Sequence, residues 1–331
     1  MTDIEMIRAA ARRLEGHARR TPLLASPFLD EIAGRRVLVK PECLQHTGSF
    51  KYRGARAALS ALDPGTRARG VIAYSSGNHA QGVARAAAEF GAPAVIVMPS
   101  DAPRLKIDNT RALGAEVVLY DRTGGESREA LGTRLRAERG LTLIRPYDEP
   151  QVIAGQGTCG LEIAAQAAEL GIGRAEVLVC CGGGGLTSGI ALALEAEAPR
   201  LRVRPVEPEG FDDTARSLAA GRILSNDRLS GSICDAILTP APGPFAFSVM
   251  RRLCGPGLVV GEDEVLHAMA LAFLRLKLVA EPGGAVALAA ALFRGDEIEA
   301  DTVICTISGG NVDPAMFARA LACIGDDGAR R

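Results

Sequence analysis

No two of the eight cysteines in this chain are spaced C-x-x-C, so it has neither a zinc-ribbon nor a thioredoxin-type motif. Charge of one sign is also missing. Lys and Arg number 38 against 39 Asp and Glu, a formal net charge of −1, which argues against an electrostatic binder of nucleic acid or membrane. The N-terminus has no apolar run of signal-peptide type, and no later segment is long enough to span a bilayer. Residues 1–20 are rich in arginine, but Asp3, Glu5 and Glu15 interrupt the basic run. Ile4, Ile7, Ala11 and Leu14 recur there at helical spacing, the pattern of an amphipathic surface helix rather than a transit peptide. Cys180, Cys181 and Cys305 sit in apolar strand-like runs, where a thiol behaves as a small buried hydrophobe. A reducing, cytoplasmic setting is expected.

What is present is a core. The 331 residues are 47% hydrophobic and 23% charged, the balance of a soluble globular protein with one large domain or two ordinary ones. Short β-branched runs at 37–40, 71–74, 94–98, 116–120, 141–144, 176–181, 202–207 and 302–307 are strand candidates. Periodic, alanine-rich segments at 51–62, 78–90, 104–113, 127–139, 151–170, 187–196, 263–278 and 285–292 are helix candidates. Strands separated by single helices imply an α/β fold, with parallel sheets flanked by helices. The strand–helix units between 70 and 145 are enough for a small domain of their own. Residues 1–69 and 146–331 then make a discontinuous large domain, re-entered at 146–150.

Three loops carry candidate chemistry. Lys51 lies in Gly48-Ser49-Phe50-Lys51-Tyr52-Arg53-Gly54, at the start of a helix, where a cation opposes the macrodipole and calls for a reason beyond surface charge. An amine so placed can form a Schiff base with a carbonyl. Ser75-Ser76-Gly77-Asn78-His79 follows one strand later. Then a strand ending in Cys180-Cys181 runs into Gly182-Gly183-Gly184-Gly185-Leu186-Thr187 and a helix. That arrangement is either an ordinary tight connection or an anion site built from backbone N–H groups and a helix N-terminus. Gly183-x-Gly185-x-x-Ser188 imitates a dinucleotide fingerprint, but the third glycine is absent, and Glu207 lies beyond the usual spacing of about 20 residues. No Walker lysine follows the glycines.

Together with Thr306-Ile307-Ser308-Gly309-Gly310-Asn311, these motifs fall in one order along the chain. From about Thr21 to Pro314 it resembles the fold-type II pyridoxal-phosphate enzymes, tryptophan synthase β-like in fold, and within them the threonine/serine dehydratase and serine racemase group. The resemblance implies that Lys51 is the Schiff-base lysine, with Phe50 beside the ring. Asn78 is expected to hold the cofactor's phenolic oxygen. Gly182, Gly183, Gly184, Gly185 and Leu186 cradle its phosphate, Ser308 meets the pyridine nitrogen, and Glu281 is the acidic residue near the ring. Ser75, Ser76, Gly77, Asn78 and His79 receive the substrate carboxylate, although His79 also reads as a structural helix-start residue.

A hydroxyl at Ser308 leaves the ring nitrogen largely unprotonated, which favours rapid loss of a β-hydroxyl over a long-lived carbanion. The expected activity is therefore dehydration of a small L-β-hydroxy amino acid (threonine, serine or 3-hydroxyaspartate) to a 2-oxo acid and ammonia. Ser76 keeps amino acid racemisation open, as a serine there serves the racemases as their second base. The resemblance also implies a homodimer without an added regulatory domain, and Mg²⁺ or Ca²⁺ held by Glu207, the Phe211 carbonyl and Asp213. Against the ion stands a simpler role for Asp212 or Asp213, capping the helix that runs to Leu218.

Overall fold

The computed structural model describes residues 2–102, 104–121 and 124–324. Among them the strands are, in chain order, β1 (Leu24–Ala25), β2 (Arg36–Pro41), β3 (Val71–Tyr74), β4 (Ala94–Pro99), β5 (Glu116–Tyr120), β6 (Thr142–Leu143), β7 (Ala175–Cys180), β8 (Leu201–Pro208), β9 (Leu258–Val260) and β10 (Thr302–Ile307). They form two sheets, ordered β1-β2-β10-β7-β8-β9 and β5-β4-β3-β6. Every pairing is parallel except β1 with β2. This is the α/β class read from the sequence. Parallel strands covered by helices on both faces are buried on both sides, and all six residues of β7 are buried, Glu176 among them through its ion pair with Arg204.

The helix Pro282–Phe293 (PGGAVALAAALF) shows how composition places a functional group. It is apolar on every side and buried from Pro282 to Leu292, as befits a helix inside the core. Its small residues let it pack closely on β7, β8 and β10. Its N-cap, Glu281, is thereby carried into the centre of the molecule.

Several elements lie outside the sequence reading. The helices Pro27–Ala33, Pro64–Arg69, Pro244–Leu253 and Pro314–Ala322 each begin with proline. Proline fits the first helical turn, where its missing N–H is not needed; read as a breaker, it conceals a helix start. β1 and β9 are too short to show periodicity. The expected strand at 141–144 contracts to Thr142–Leu143 at the end of its sheet. No helix among the described residues is long and apolar enough to cross a membrane.

Candidate active site

The lysine loop is stitched to the loop after β10. Ser49 bridges Gly309, Phe50 N–H donates to the Ser308 carbonyl at 3.1 Å, and Gly310 N–H donates to the Gly48 carbonyl at 2.9 Å. The helix Lys51–Ala61 begins at the lysine itself. Lys51 Nζ donates to the Pro146 carbonyl at 2.8 Å and lies 5.0 Å from the centre of the Phe50 ring. Burial pushes its amine down to about 8, against a smaller opposing pull from Glu281. An amine lowered this far has a neutral fraction available for proton abstraction.

A cavity of about 290 Å³ brings the expected residues together. Phe50, Lys51, Ser75 to His79, Gly182 to Leu186, Glu281 and Ser308 all line it. Glu207, Phe211 and Asp213 do not.

The glycine loop has a specific reason to be glycine. A Cβ at Gly183 would lie 2.3 Å from the Tyr147 ring, and one at Gly184 would lie 2.6 Å from Met250 Cε. Gly184 also has φ +86 as N-cap of the helix Gly185–Glu197, a conformation open chiefly to glycine. In the first turn of that helix, Thr187 Oγ1 is buried without a hydrogen-bond partner. A narrow cradle, a helix N-terminus and an unpartnered buried hydroxyl together fit a phosphate group.

Opposite this loop, Asn78 Nδ2 donates to Glu281 Oε1 at 2.5 Å, while Asn311 Nδ2 donates to Asn78 Oδ1 at 2.7 Å. Burial raises the Glu281 carboxyl to about 7, more than the Asn78 hydrogen bond lowers it. His79 is buried, with Nε2 2.9 Å from the Ile144 carbonyl. Burial first, and Lys51 second, push it down to about 3. It stays neutral at physiological pH and braces the turn. Ser75 Oγ accepts from Gly77 N–H at 3.2 Å, shaping the loop in which Ser76 stands.

Sequence reasoning missed several cavity residues. Tyr147 follows Pro146 in the re-entrant crossing, and the glycines packed against it were the only signal. Lys106 and Arg128 line the cavity mouth from helices that read as ordinary surface. Lys106 Nζ contacts Asp235 Oδ2 at 3.1 Å and Arg128 Nη2 contacts Glu129 Oε1 at 2.7 Å.

The carboxylates considered for an ion behave differently from expectation in one respect. Glu207 caps the helix Asp213–Ala220, accepting from Thr214 N–H at 3.0 Å and Ala215 N–H at 2.8 Å. Neither Asp212, the N-cap residue, nor Asp213 provides that cap. Glu207 reaches back from the strand because β8 ends directly beneath the helix start. Asp213 Oδ1 accepts from Asn226 at 2.5 Å, while Oδ2 is buried without a partner. Burial pushes both carboxyls up, Asp213 to about 6, and Asp213 adds to the rise at Glu207. An orphaned carboxylate oxygen near a second buried carboxylate suits a hard cation that keeps several waters. Among the described residues no three His, Cys, Asp or Glu side chains form a cage, so protein groups alone would not complete the shell.

The chain is similar along most of its length to known proteins. The family described as pyridoxal-phosphate dependent enzyme matches residues 14–309. The chain is 43% identical over 312 residues to an L-threo-3-hydroxyaspartate ammonia-lyase from Pseudomonas sp, covering 94% of this chain and 96% of that one. It is 39% identical to a serine racemase from Oryza sativa subsp. indica, covering 96% of this chain and 94% of the relative. The solved structure of a threonine deaminase from T.th. superposes with a TM-score of 0.88 at 45% identity, covering 94% of this chain and 99% of that one.

Proposed function

The chain belongs to the pyridoxal-phosphate-dependent enzyme family, and from that premise we propose that it is an ammonia-lyase for a small L-β-hydroxy amino acid. The observation that carries this reading is the buried Lys51 amine, pushed down to about 8, in one cavity with the glycine loop and Ser308. The bound cofactor supplies an electron-withdrawing system that acidifies the substrate's α-proton. Residues 182–186 and the helix N-terminus behind them hold its phosphate. Ser308 would face the ring nitrogen, Asn78 the phenolic oxygen and Phe50 the side of the ring; all three line the cavity. Ser75 to His79 present donors to the substrate carboxylate. Lys51 Nζ, as a neutral amine, takes the α-proton. With Ser308 rather than a carboxylate facing the ring nitrogen, the overall change would be loss of the α-proton and the β-hydroxyl together as water, followed by uptake of one water to give a 2-oxo acid and ammonia.

Among threonine, serine and 3-hydroxyaspartate, the cations Lys106 and Arg128 on the cavity wall favour a substrate with a second carboxylate. Asp235 is 64% exposed and Lys106 28%, so their pair is weak enough for a substrate carboxylate to displace it. Steady-state assays of 2-oxo acid, ammonia and D-amino acid together provide the test. Hydroxyaspartate is expected to give the highest kcat/KM, and Arg128→Ala to raise its KM about tenfold or more while changing that for serine little. Equal losses for both substrates would count against this preference. D-amino acid as main product would instead make Ser76 a catalytic base and the protein a racemase, the second activity named among its relatives.

Residues 70–145 form the smaller domain in this reading and close over the cleft, which the contacts Lys106–Asp235, Asn78–Glu281 and Arg56–Glu89 already cross. Ligand-free and substrate-bound structures with the same domain angle would overturn this. The chain pairs as a homodimer through the apolar side chains Phe28, Ile32, Phe273 and Leu274, which are between 37% and 52% exposed. A cytoplasmic location accords with its cysteines, which are all free.

Glu207, the Phe211 carbonyl and Asp213 would hold Mg²⁺ or Ca²⁺ outside the cavity that Lys51 lines. Millimolar Mg²⁺ should raise the thermal midpoint by a few degrees, since a ligand bound only to the folded state stabilises it. Asp213→Asn should remove the response, and an unchanged response would sink the assignment.

A further inference from the structure

Asn78 can serve the cofactor's phenolic oxygen only if its amide N–H₂, and not its carbonyl, faces the site. An asparagine has no intrinsic preference between the two orientations. The structure assigns the choice to Asn311 and, behind it, to the Thr47 carbonyl; this rests on the pyridoxal-phosphate reading above.

One group in this chain of hydrogen bonds has a fixed polarity. A backbone carbonyl can only accept. The Thr47 carbonyl therefore requires the Asn311 amide to turn its nitrogen toward it, and the two are 2.7 Å apart. The second N–H of that nitrogen donates to Asn78 Oδ1, also at 2.7 Å. Asn78 Oδ1 is thus committed to Asn311, and its nitrogen faces Glu281 Oε1 at 2.5 Å. One Asn78 N–H remains for the cofactor.

The surrounding backbone is shaped around this chain. Thr47 has φ 59 and ψ 16, a left-handed conformation that a β-branched residue rarely adopts. That conformation occurs at the residue whose carbonyl meets Asn311. A Cβ at Gly48 would lie 2.7 Å from Asn311 Oδ1, and a Cβ at Gly309 would lie 2.0 Å from Glu281 Oε1 and 3.0 Å from Asn78 Nδ2. Two glycines therefore leave room for the relay. Asn311 is a positioning residue: it acts on the cofactor through Asn78.

Two comparisons of cofactor affinity by equilibrium dialysis test this. The first is a double-mutant cycle. Asn311→Ala is expected to weaken retention of pyridoxal phosphate about tenfold when Asn78 is present, the size of one lost hydrogen bond or a little more. In an Asn78→Ala background it should change retention less than about twofold. Equal factors in both backgrounds would mean that Asn311 acts independently, and the assignment would fail.

The second comparison uses an isostere. Asn311→Asp preserves volume but places an acceptor against the Thr47 carbonyl and Asn78 Oδ1, so it should turn the Asn78 amide over, with a protonated Glu281 carboxyl donating to the oxygen so turned, and weaken retention more than Asn311→Ala. A purely space-filling role predicts the reverse order. The pH at which the bound chromophore changes colour should also shift in the same direction in Asn311→Asp and Asn78→Ala. Failure of the unmodified protein to retain pyridoxal phosphate would overturn the reading beneath; retention with the wrong cycle or order overturns the relay alone.

Discussion

Lys51→Ala should lose turnover by about 10⁴-fold or more and should carry no visible chromophore after incubation with pyridoxal phosphate. The substitution removes the covalent anchor and the proton acceptor together, and a positioned acid or base alone contributes about 10²- to 10⁴-fold. A yellow Lys51→Ala protein that is bleached by borohydride would place the anchor elsewhere. The same residue predicts a pH profile. With its amine near 8, about one molecule in ten is neutral at pH 7, whereas an unperturbed lysine near 10.4 would be neutral in about one in several thousand. The rate at which the apoprotein takes up the cofactor should therefore rise about tenfold between pH 7 and 9 and then level off. Continued rise through pH 10 would show that burial does not act on Lys51 as the structure implies. Because the cause is desolvation, opposed only by Glu281, Glu281→Gln should move the plateau to lower pH.

Most of the residues expected to meet in the cavity were legible because each belongs to a short motif tied to local backbone. The glycine run, the lysine turn and the Ser-Gly-Asn turn each sit where a strand or loop gives way to a helix, and such junctions are marked in sequence by glycine and by a break in periodicity. Ser308 and Glu281 came from the family resemblance alone, with no local signal of their own. Lys106, Arg128 and Tyr147 were not legible. They come from a helix flank, a helix start and a crossing, and only the packing of the two sheets brings them to the cavity mouth. The cap on the helix Asp213–Ala220 was given to the nearest aspartates, whereas the actual acceptor, Glu207, is seven and eight residues from its donors. A local rule favours local partners. Four proline-headed helices were missed for a related reason, since proline marks both ends and beginnings; the two others, Pro150–Glu169 and Pro282–Phe293, were legible from their alanine-rich interiors.

The largest stability effect should come from Arg53, which sequence reading passed over as part of the lysine motif. Its side chain is 1% exposed beside Glu42 at 0%. The guanidinium forks onto Glu42 at 2.7 and 2.8 Å and onto Glu162 at 2.6 and 2.9 Å, and Lys40 reaches Glu162 from the other side at 2.6 Å. Two cations and two anions thus cancel within the core. Burial pushes the Glu42 carboxyl up, but the charge and hydrogen bonds of Arg53, with help from Lys40 and Thr21, leave it below its ordinary value. Arg53→Ala would leave that carboxylate buried without its fork. Breaking a buried pair by removing one partner costs about 3–5 kcal/mol, a large fraction of the stability of an ordinary domain. Without Arg53, burial dominates and the folded-state pKa of Glu42 moves above its unfolded value. The protonated form is then the tolerated one, so the stability deficit should shrink as pH falls and grow as it rises. Denaturation of Arg53→Ala and the unmodified protein at pH 5.5 and pH 8 measures both the size and the sign. Arg53→Lys keeps the charge but loses the planar fork, and should fall between them. A deficit below about 1 kcal/mol, or one that shrinks with rising pH, would show that the network is not what holds the lysine helix against the long helix Pro150–Glu169 that bears Glu162.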